Sequence, residues 1–311
     1  MEFLHKPVLL NECIENLNIK PSGVYIDGTL GGAGHSSEIA KLLDESGTLI
    51  GIDRDIEAIN VSRERLLGFK PTVHLVNDNY KNIKDVLRNL EIDKVDGILL
   101  DLGVSSYQLD NPDRGFSYRY DAPLDMRMST NDTLTAKDVV NQYTKDELIR
   151  IFRDYGEEKW AVRVAEFIVD KRREKPISTT FELVDIIKAA IPAGARAEGG
   201  HPAKRIFQAI RIEVNGEIES LRNAIIDAID SLKTGGRICV ISFHSLEDRI
   251  IKEVFNEMAK GCTCPPDFPK CVCNNKKIVN ILSKKPIIST EDELNENLRA
   301  HSAKLRVAEK L

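Results

Sequence analysis

A strand-like run, Val24-Tyr25-Ile26, breaks into the glycine loop Asp27-Gly28-Thr29-Leu30-Gly31-Gly32-Ala33-Gly34-His35, and this constrains the fold more than any other feature. Helical spacing of Ile39, Leu42 and Leu43 follows and predicts a helix over 36–43. The rhythm then repeats. Strand patterns over 48–52 and 73–76 are each followed by helical patterns, over 56–67 and 83–90. A fourth strand over 95–100 is apolar almost throughout, as expected of a strand covered on both faces. Strand–helix alternation at this spacing specifies a parallel, doubly wound α/β sheet.

After Ser106 the rhythm stops. Residues 107–133 form a loop rich in Asp, Arg, Pro and aromatics, and helical pattern dominates 135–190 with stops at Pro176 and Pro192. A second loop, 193–202, contains three glycines. An amphipathic helix is predicted over 218–232, ended by Lys233-Thr234-Gly235-Gly236 with glycine for a left-handed cap. A fifth strand follows at 237–242, then Ser245-Leu246-Glu247-Asp248 as a variant capping box, and two further strands at 278–282 and 304–308. The expected organisation is therefore one α/β domain, 1–106 with 211–311, carrying a mostly helical insertion at 107–210 between strands four and five. The insertion is the expected site of substrate recognition.

Hydrophobic residues at 42% of 311 provide for a substantial core. No run approaches the roughly 18 apolar residues of a membrane span, and the start Met1-Glu2-Phe3-Leu4-His5-Lys6-Pro7 lacks the pattern of a secretory signal. A cytoplasmic location and no membrane partner are expected. A net charge of −5 excludes global attraction to nucleic acid, so any RNA must be met by a local basic surface. Two candidates are Lys171-Arg172-Arg173-Glu174-Lys175 and the set Arg196, Lys204, Arg205 and Arg211.

In an open α/β sheet, ligands bind beyond the carboxyl ends of the strands. The glycine loop lies there, and Asp53, nineteen residues past Gly34, ends strand two where a carboxylate accepts ribose hydroxyls. These features fit a dinucleotide nearly as well, since Gly32-Ala33-Gly34-His35-Ser36-Ser37 is one residue from its fingerprint. Asp27 tilts the balance. A carboxylate at the loop mouth repels a pyrophosphate and suits the ammonium group of S-adenosylmethionine, although a nicotinamide, a flavin or a purely structural turn stays open. Tyr80 follows strand three, where an adenine ring would pack. Asp101, opening Asp101-Leu102-Gly103-Val104-Ser105-Ser106 after strand four, faces the position of chemistry. His244, after strand five, is a candidate to contact the substrate or receive a proton.

With these stretches in view, the chain closely resembles the ribosomal RNA small subunit methyltransferase H family, whose members methylate N4 of a cytidine in 16S rRNA. The resemblance runs through Tyr25-Ile26-Asp27-Gly28-Thr29, Gly97 to Ser106, Arg114-Gly115-Phe116-Ser117, Pro123-Leu124-Asp125-Met126-Arg127-Met128, His201-Pro202-Ala203-Lys204-Arg205, Phe207 to Asn215 and Ser242 to Arg249. It implies a Rossmann-like class I methyltransferase sheet, S-adenosylmethionine as cofactor, and a cofactor site at Ala33, Gly34, His35, Asp53, Tyr80, Asp101 and Gln108. The family usually has glycine where Ala33 stands. The implied partner is 16S rRNA within the small subunit, and a homodimer is left open. Cytosine N4 is a weak nucleophile because its lone pair is delocalised, so an acceptor such as Asp101 must hold the amine in line with the methyl group. A stacking ring is expected from Phe116, Tyr118, Tyr107 or Phe243.

Cys262, Cys264, Cys271 and Cys273 form two Cys-x-Cys units, for which zinc, a redox pairing and free thiols all stay open; no metal is assigned. Cys13 and Cys239 read as buried small hydrophobes.

Overall fold

The computed structural model describes residues 7–197, 200–261, 264, 268, 270, 272, 273 and 275–311. The chain divides into two units, Met1–Gly103 with Ile218–Leu311, and Val104–Glu217.

The first unit is built on a sheet of β1 (Val24–Asp27), β2 (Thr48–Asp53), β3 (Thr72–Asn77), β4 (Val95–Asp101), β5 (Leu232–Ser242), β6 (Val279–Ile281) and β7 (Lys304–Lys310). Their order is β3-β2-β1-β4-β5-β7-β6. Pairing is parallel from β3 to β5, and β7 runs antiparallel to both β5 and β6. Side-chain alternation with period two divides the strands between two cores. Ile26, Ile98, Leu100, Ile238 and Val240 face one side, against helices Ile83–Asn89, Leu221–Asp230 and Ser245–Ala259. Tyr25, Leu99, Cys239, Ile241 and Leu305 face the other, with helices Leu10–Leu17 and Gly34–Leu42. Cys13 and Cys239 are fully buried there, as small hydrophobes.

Three local expectations are corrected. Residues 233–236 do not cap a helix, because β5 already begins at Leu232. The helix ends at Asp230, with Ser231 as its cap. Leu232 pairs with Val95 and Arg237 with Gly97, so the run is taken up as a bulge. Gly235 at φ 78 makes the bulge accessible, and the Lys233 ammonium lies 2.7 Å from Asp96. The second correction moves the capping box by one residue. His244, not Ser245, is the N-cap of Ser245–Ala259, and Glu247 is its reciprocal partner. The third concerns 193–202, where Ala193–Ala197 is helical rather than loop.

The second unit is mostly helical. Helices Ala136–Gln142, Lys145–Asp154 and Thr180–Ala190 each open with a capping box, at Thr135/Asp138, Thr144/Glu147 and Thr179/Glu182. Ala161–Glu174 and Ala203–Asn215 complete the longer helices. The expected boundary at 210/211 therefore falls inside one helix. The segment preceding Thr135 is held from within. Arg114, 7% exposed, donates to the carbonyls of Arg127 and Met128, while Asn215 bonds the backbone of Met126 and Met128. Among the described residues no helix is long and apolar enough to cross a membrane.

Candidate active site

Order β3-β2-β1-β4 reverses the direction of sheet growth between β1 and β4, and the crevice beyond their carboxyl ends is the natural ligand site. The glycine loop crosses it and is tied down on both sides. The Gly28 amide donates to the Leu99 carbonyl of β4 at 2.9 Å, and the Leu30 amide to the Ile52 carbonyl of β2 at 3.0 Å. Ser62 and Arg65, on helix Ile56–Arg65, donate to the carbonyls of Gly31 and Gly32. A loop so fixed is preorganised.

Helix Gly34–Leu42 opens at the loop's end with Ala33 as its N-cap, in the left-handed region at φ 56. Glycine adopts that conformation freely and alanine does so at a cost. Gly34 is required for another reason. A Cβ there would lie 2.4 Å from Cγ of Pro7, so Pro7 packs directly on the backbone.

Three carboxylates surround the loop. Asp27, 1% exposed, accepts from Ser36 Oγ at 2.7 Å and from the Thr29 amide at 3.2 Å. Burial pushes its pKa up, against the opposing pull of His35, Ser36 and Thr29. Asp53 accepts the amides of Gly31 at 2.8 Å and Asp55 at 2.9 Å. Burial raises its pKa to about 6, with Asp55 and Asp27 adding repulsion against those two hydrogen bonds. Asp101 is fixed by its own amide, which donates to Thr29 Oγ1 at 2.6 Å. Its Oδ1 is buried without a hydrogen-bond partner. Burial, then the charges of Asp27 and Glu247, push its pKa to about 8.

His35 is locked beside them, with Nε2 3.0 Å from the Val8 carbonyl and Nδ1 3.9 Å from Oδ2 of Asp101. Burial holds its pKa down, against the nearby Asp27 charge. Tyr80 opens a short helical turn after β3 and packs partly buried against the core beside Gly28.

The first unit thus brings together Asp27, Ala33, Gly34, His35, Asp53, Tyr80 and Asp101. His244 stands after β5, where its Nδ1 accepts from the Glu247 amide at 3.4 Å and its side chain caps a helix. Gln108 belongs to the second unit and builds a turn there, its Oε1 accepting from the Ser105 amide and its Nε2 donating to the Met128 carbonyl. Sequence reasoning missed Thr29, Ser36 and Glu247. Thr29 carried a local signal as the third residue of Asp27-Gly28-Thr29, and Glu247 was legible only as a capping residue.

Of the basic candidates, the run at 171–175 is largely consumed internally. Lys171 pairs with Glu174, Arg173 with Asp170 and Lys175 with Glu182, while Arg172 donates to backbone carbonyls. In the second set, Arg211 is held bidentate by Glu217 and Arg205 by the Glu157 carbonyl. Cys262 and Cys271 lie outside the described residues; Cys264 and Cys273 are half-buried.

A seven-stranded sheet of this order, with β7 reversed, is the Rossmann-like class I methyltransferase fold. The MraW methylase family model matches residues 2–311. A protein of Acetivibrio thermocellus is 61% identical over 313 residues, and those of Ruminiclostridium cellulolyticum and Clostridioides difficile are 57% identical. All three carry the name ribosomal RNA small subunit methyltransferase H, and each alignment covers 100% of both chains. The chain belongs to the MraW methylase family, which is S-adenosylmethionine-dependent.

Proposed function

We propose that this chain methylates N4 of a cytidine in the 16S rRNA of the small ribosomal subunit, in the cytoplasm, using S-adenosylmethionine. The observation that carries the cofactor half is the electrostatics of the crevice. Asp53 and Asp101 are destabilised as anions by burial and by neighbouring carboxylates, Asp27 among them. A sulfonium and an ammonium relieve that repulsion, whereas a pyrophosphate worsens it. The residues fit the cofactor, which when bound supplies a methyl group on a cationic sulfur.

In this reading Asp53 accepts the ribose hydroxyls and Tyr80 packs on the adenine. The amides at Gly34 and His35, at a helix N-terminus, suit the methionine carboxylate, Ala33 turns the chain into that helix with its own amide on the Leu30 carbonyl, and Asp27 supplies charge toward the ammonium. Asp101 accepts a hydrogen bond from the N4 amine through its carboxylate and so aligns the nitrogen with the methyl. Positioning supplies most of the rate here, because the nucleophile is weak. His244 acts as a positioning residue, holding Glu247 where its charge bears on Asp101. The names of the curated relatives support the rRNA substrate; the choice of N4 rests on the acceptor at Asp101 and the family resemblance.

Mass mapping of 16S rRNA from cells lacking the protein tests the reading. One missing methyl on a cytidine amine, restored by the wild-type chain and not by Asp101→Ala, is expected. An unchanged methylation map would sink it.

A further inference from the structure

The second unit carries a ring pair that none of the site residues uses. Tyr118 and His201 are stacked with centroids 4.3 Å apart and planes 5° from parallel, though 83 residues separate them in sequence. Phe207, buried on helix Ala203–Asn215, meets the Tyr118 ring edge-on at 5.8 Å and fixes it from below. Both stacked rings are themselves only half-buried. Two flat rings backed by a buried third form a rigid platform of the kind on which a nucleobase stacks.

The two charges that bear on His201 are both positive. His201 is held below its usual pKa by burial, then by Lys188 and Arg119. Neither cation is paired with a carboxylate among the described residues, in contrast with the internally neutralised run at 171–175. Exposed Lys204, three residues past His201, is likewise without a carboxylate. Nδ1 of His201 accepts from the Ala203 amide at 3.3 Å, which leaves Nε2 to carry the proton and donate to an acceptor on a base. In a chain of net charge −5, this is a local basic surface with an aromatic floor.

We propose that Tyr118 and His201 form a stacking platform for an unpaired base of single-stranded RNA, with Arg119 and Lys188 on its phosphates. The proposal rests on the reading of the chain as an rRNA enzyme and assigns an RNA contact to the second unit.

The test is the affinity of the full-length protein for a short unstructured RNA oligonucleotide, measured by fluorescence anisotropy across a salt series. Tyr118→Ala and His201→Ala are each expected to weaken binding about tenfold, the loss of one base stack, with Tyr118→Phe near wild type. The double variant Arg119→Ala, Lys188→Ala leaves the rings in place, so it tests the surface even if Tyr118→Ala misfolds. It should lower the salt slope by about 0.7 per lost phosphate contact. Calorimetric affinity for S-adenosylmethionine should be unchanged in all of them. RNA affinity and salt slope equal to wild type in the variants, or no RNA binding by the wild type, overturns the platform. Wild-type protein that binds RNA through these residues yet leaves the small subunit unmethylated supports the platform and overturns the function proposed above.

Discussion

Nδ1 of His35 faces Oδ2 of Asp101 across 3.9 Å while Nε2 of the same ring lies 3.0 Å from the Val8 carbonyl, so the tautomer is set. The proton sits on Nε2 and the lone pair of Nδ1 points at Asp101. A neutral ring gives Asp101 no counter-charge, and its pKa rises to about 8 from burial and the charges of Asp27 and Glu247.

A pH dependence follows for activity. Only the ionised carboxylate accepts a proton-bearing amine well, so kcat/KM should climb about tenfold per pH unit up to a bend near pH 8. In the proposed reading a bound donor would bring a cationic sulfur toward Asp101 and favour its anion, so the bend in kcat should fall at lower pH. Single-turnover methylation across roughly pH 6 to 9 reads both limbs. Flat profiles would remove Asp101 from the acceptor role. Stability runs the opposite way. A carboxyl whose folded pKa exceeds its unfolded value of about 4 destabilises the fold progressively as pH rises between the two. Asp101→Asn should therefore gain stability relative to wild type as pH approaches 8, seen as a rising difference in Tm.

Ala33 gives a backbone prediction. At φ 56 and fully buried, it bears a left-handed strain of about 1–2 kcal/mol, of which its methyl burial returns about 0.8 kcal/mol. Ala33→Gly should thus be neutral to slightly stabilising. Ala33→Val, with a β-branched side chain in the same conformation, should lose about 2 kcal/mol or more. Urea denaturation of the three proteins checks the order; a valine variant as stable as wild type would contradict the geometry.

How much of this was legible in sequence depends on the range of the cause. Strands β1 to β4 and their helices carry their own periodicity, and Asp53 and Asp101 sit at the ends of apolar runs, so they could be found locally. The start of β5 could not. Lys233-Thr234-Gly235-Gly236 reads as a helix stop, and only the pairing of Leu232 with Val95 and the reach of Lys233 to Asp96 make it a strand. His244 hid its cap because histidine is not a usual N-cap residue, and the adjacent serine offered a better local match. Thr29 Oγ1 meets the Asp101 amide and Ser36 the Asp27 carboxylate only through folding of the loop, and Tyr118 meets His201 only in three dimensions.

Asp53 should report on the cofactor. Its two backbone hydrogen bonds fix one carboxylate beside the loop, and its pKa near 6 means that affinity for S-adenosylmethionine should rise with pH through about 6 and then level. Asp53→Ala removes a charged acceptor, worth about 1.5–3 kcal/mol, so affinity should fall roughly tenfold to a hundredfold. Isothermal titration of wild type and variant with S-adenosylmethionine, and with NADH as the control, measures this. Equal affinity in the two proteins would place the ribose elsewhere.

Arg306 on β7 and Asp248 on helix Ser245–Ala259 form a two-pronged pair, Nε to Oδ1 at 2.6 Å and Nη2 to Oδ2 at 3.2 Å, with side chains 9% and 15% exposed. Burial pushes the Asp248 pKa up, but Arg306 and Lys304 outweigh it and hold the carboxyl low. A depressed folded pKa adds stability that is present at neutral pH and lost as pH falls through it. Removing one partner leaves the other charge buried and unpaired, so Arg306→Met should cost about 3–5 kcal/mol at neutral pH. The gap should narrow in acid, where Asp248 takes a proton. The double variant Arg306→Met, Asp248→Leu removes the stranded charge as well and should recover most of the loss, because two apolar side chains can pack where an ion pair stood. Thermal unfolding of the four proteins of this cycle decides the matter: additive losses would mean that the pair is not coupled and that helix and strand are held by their apolar faces alone.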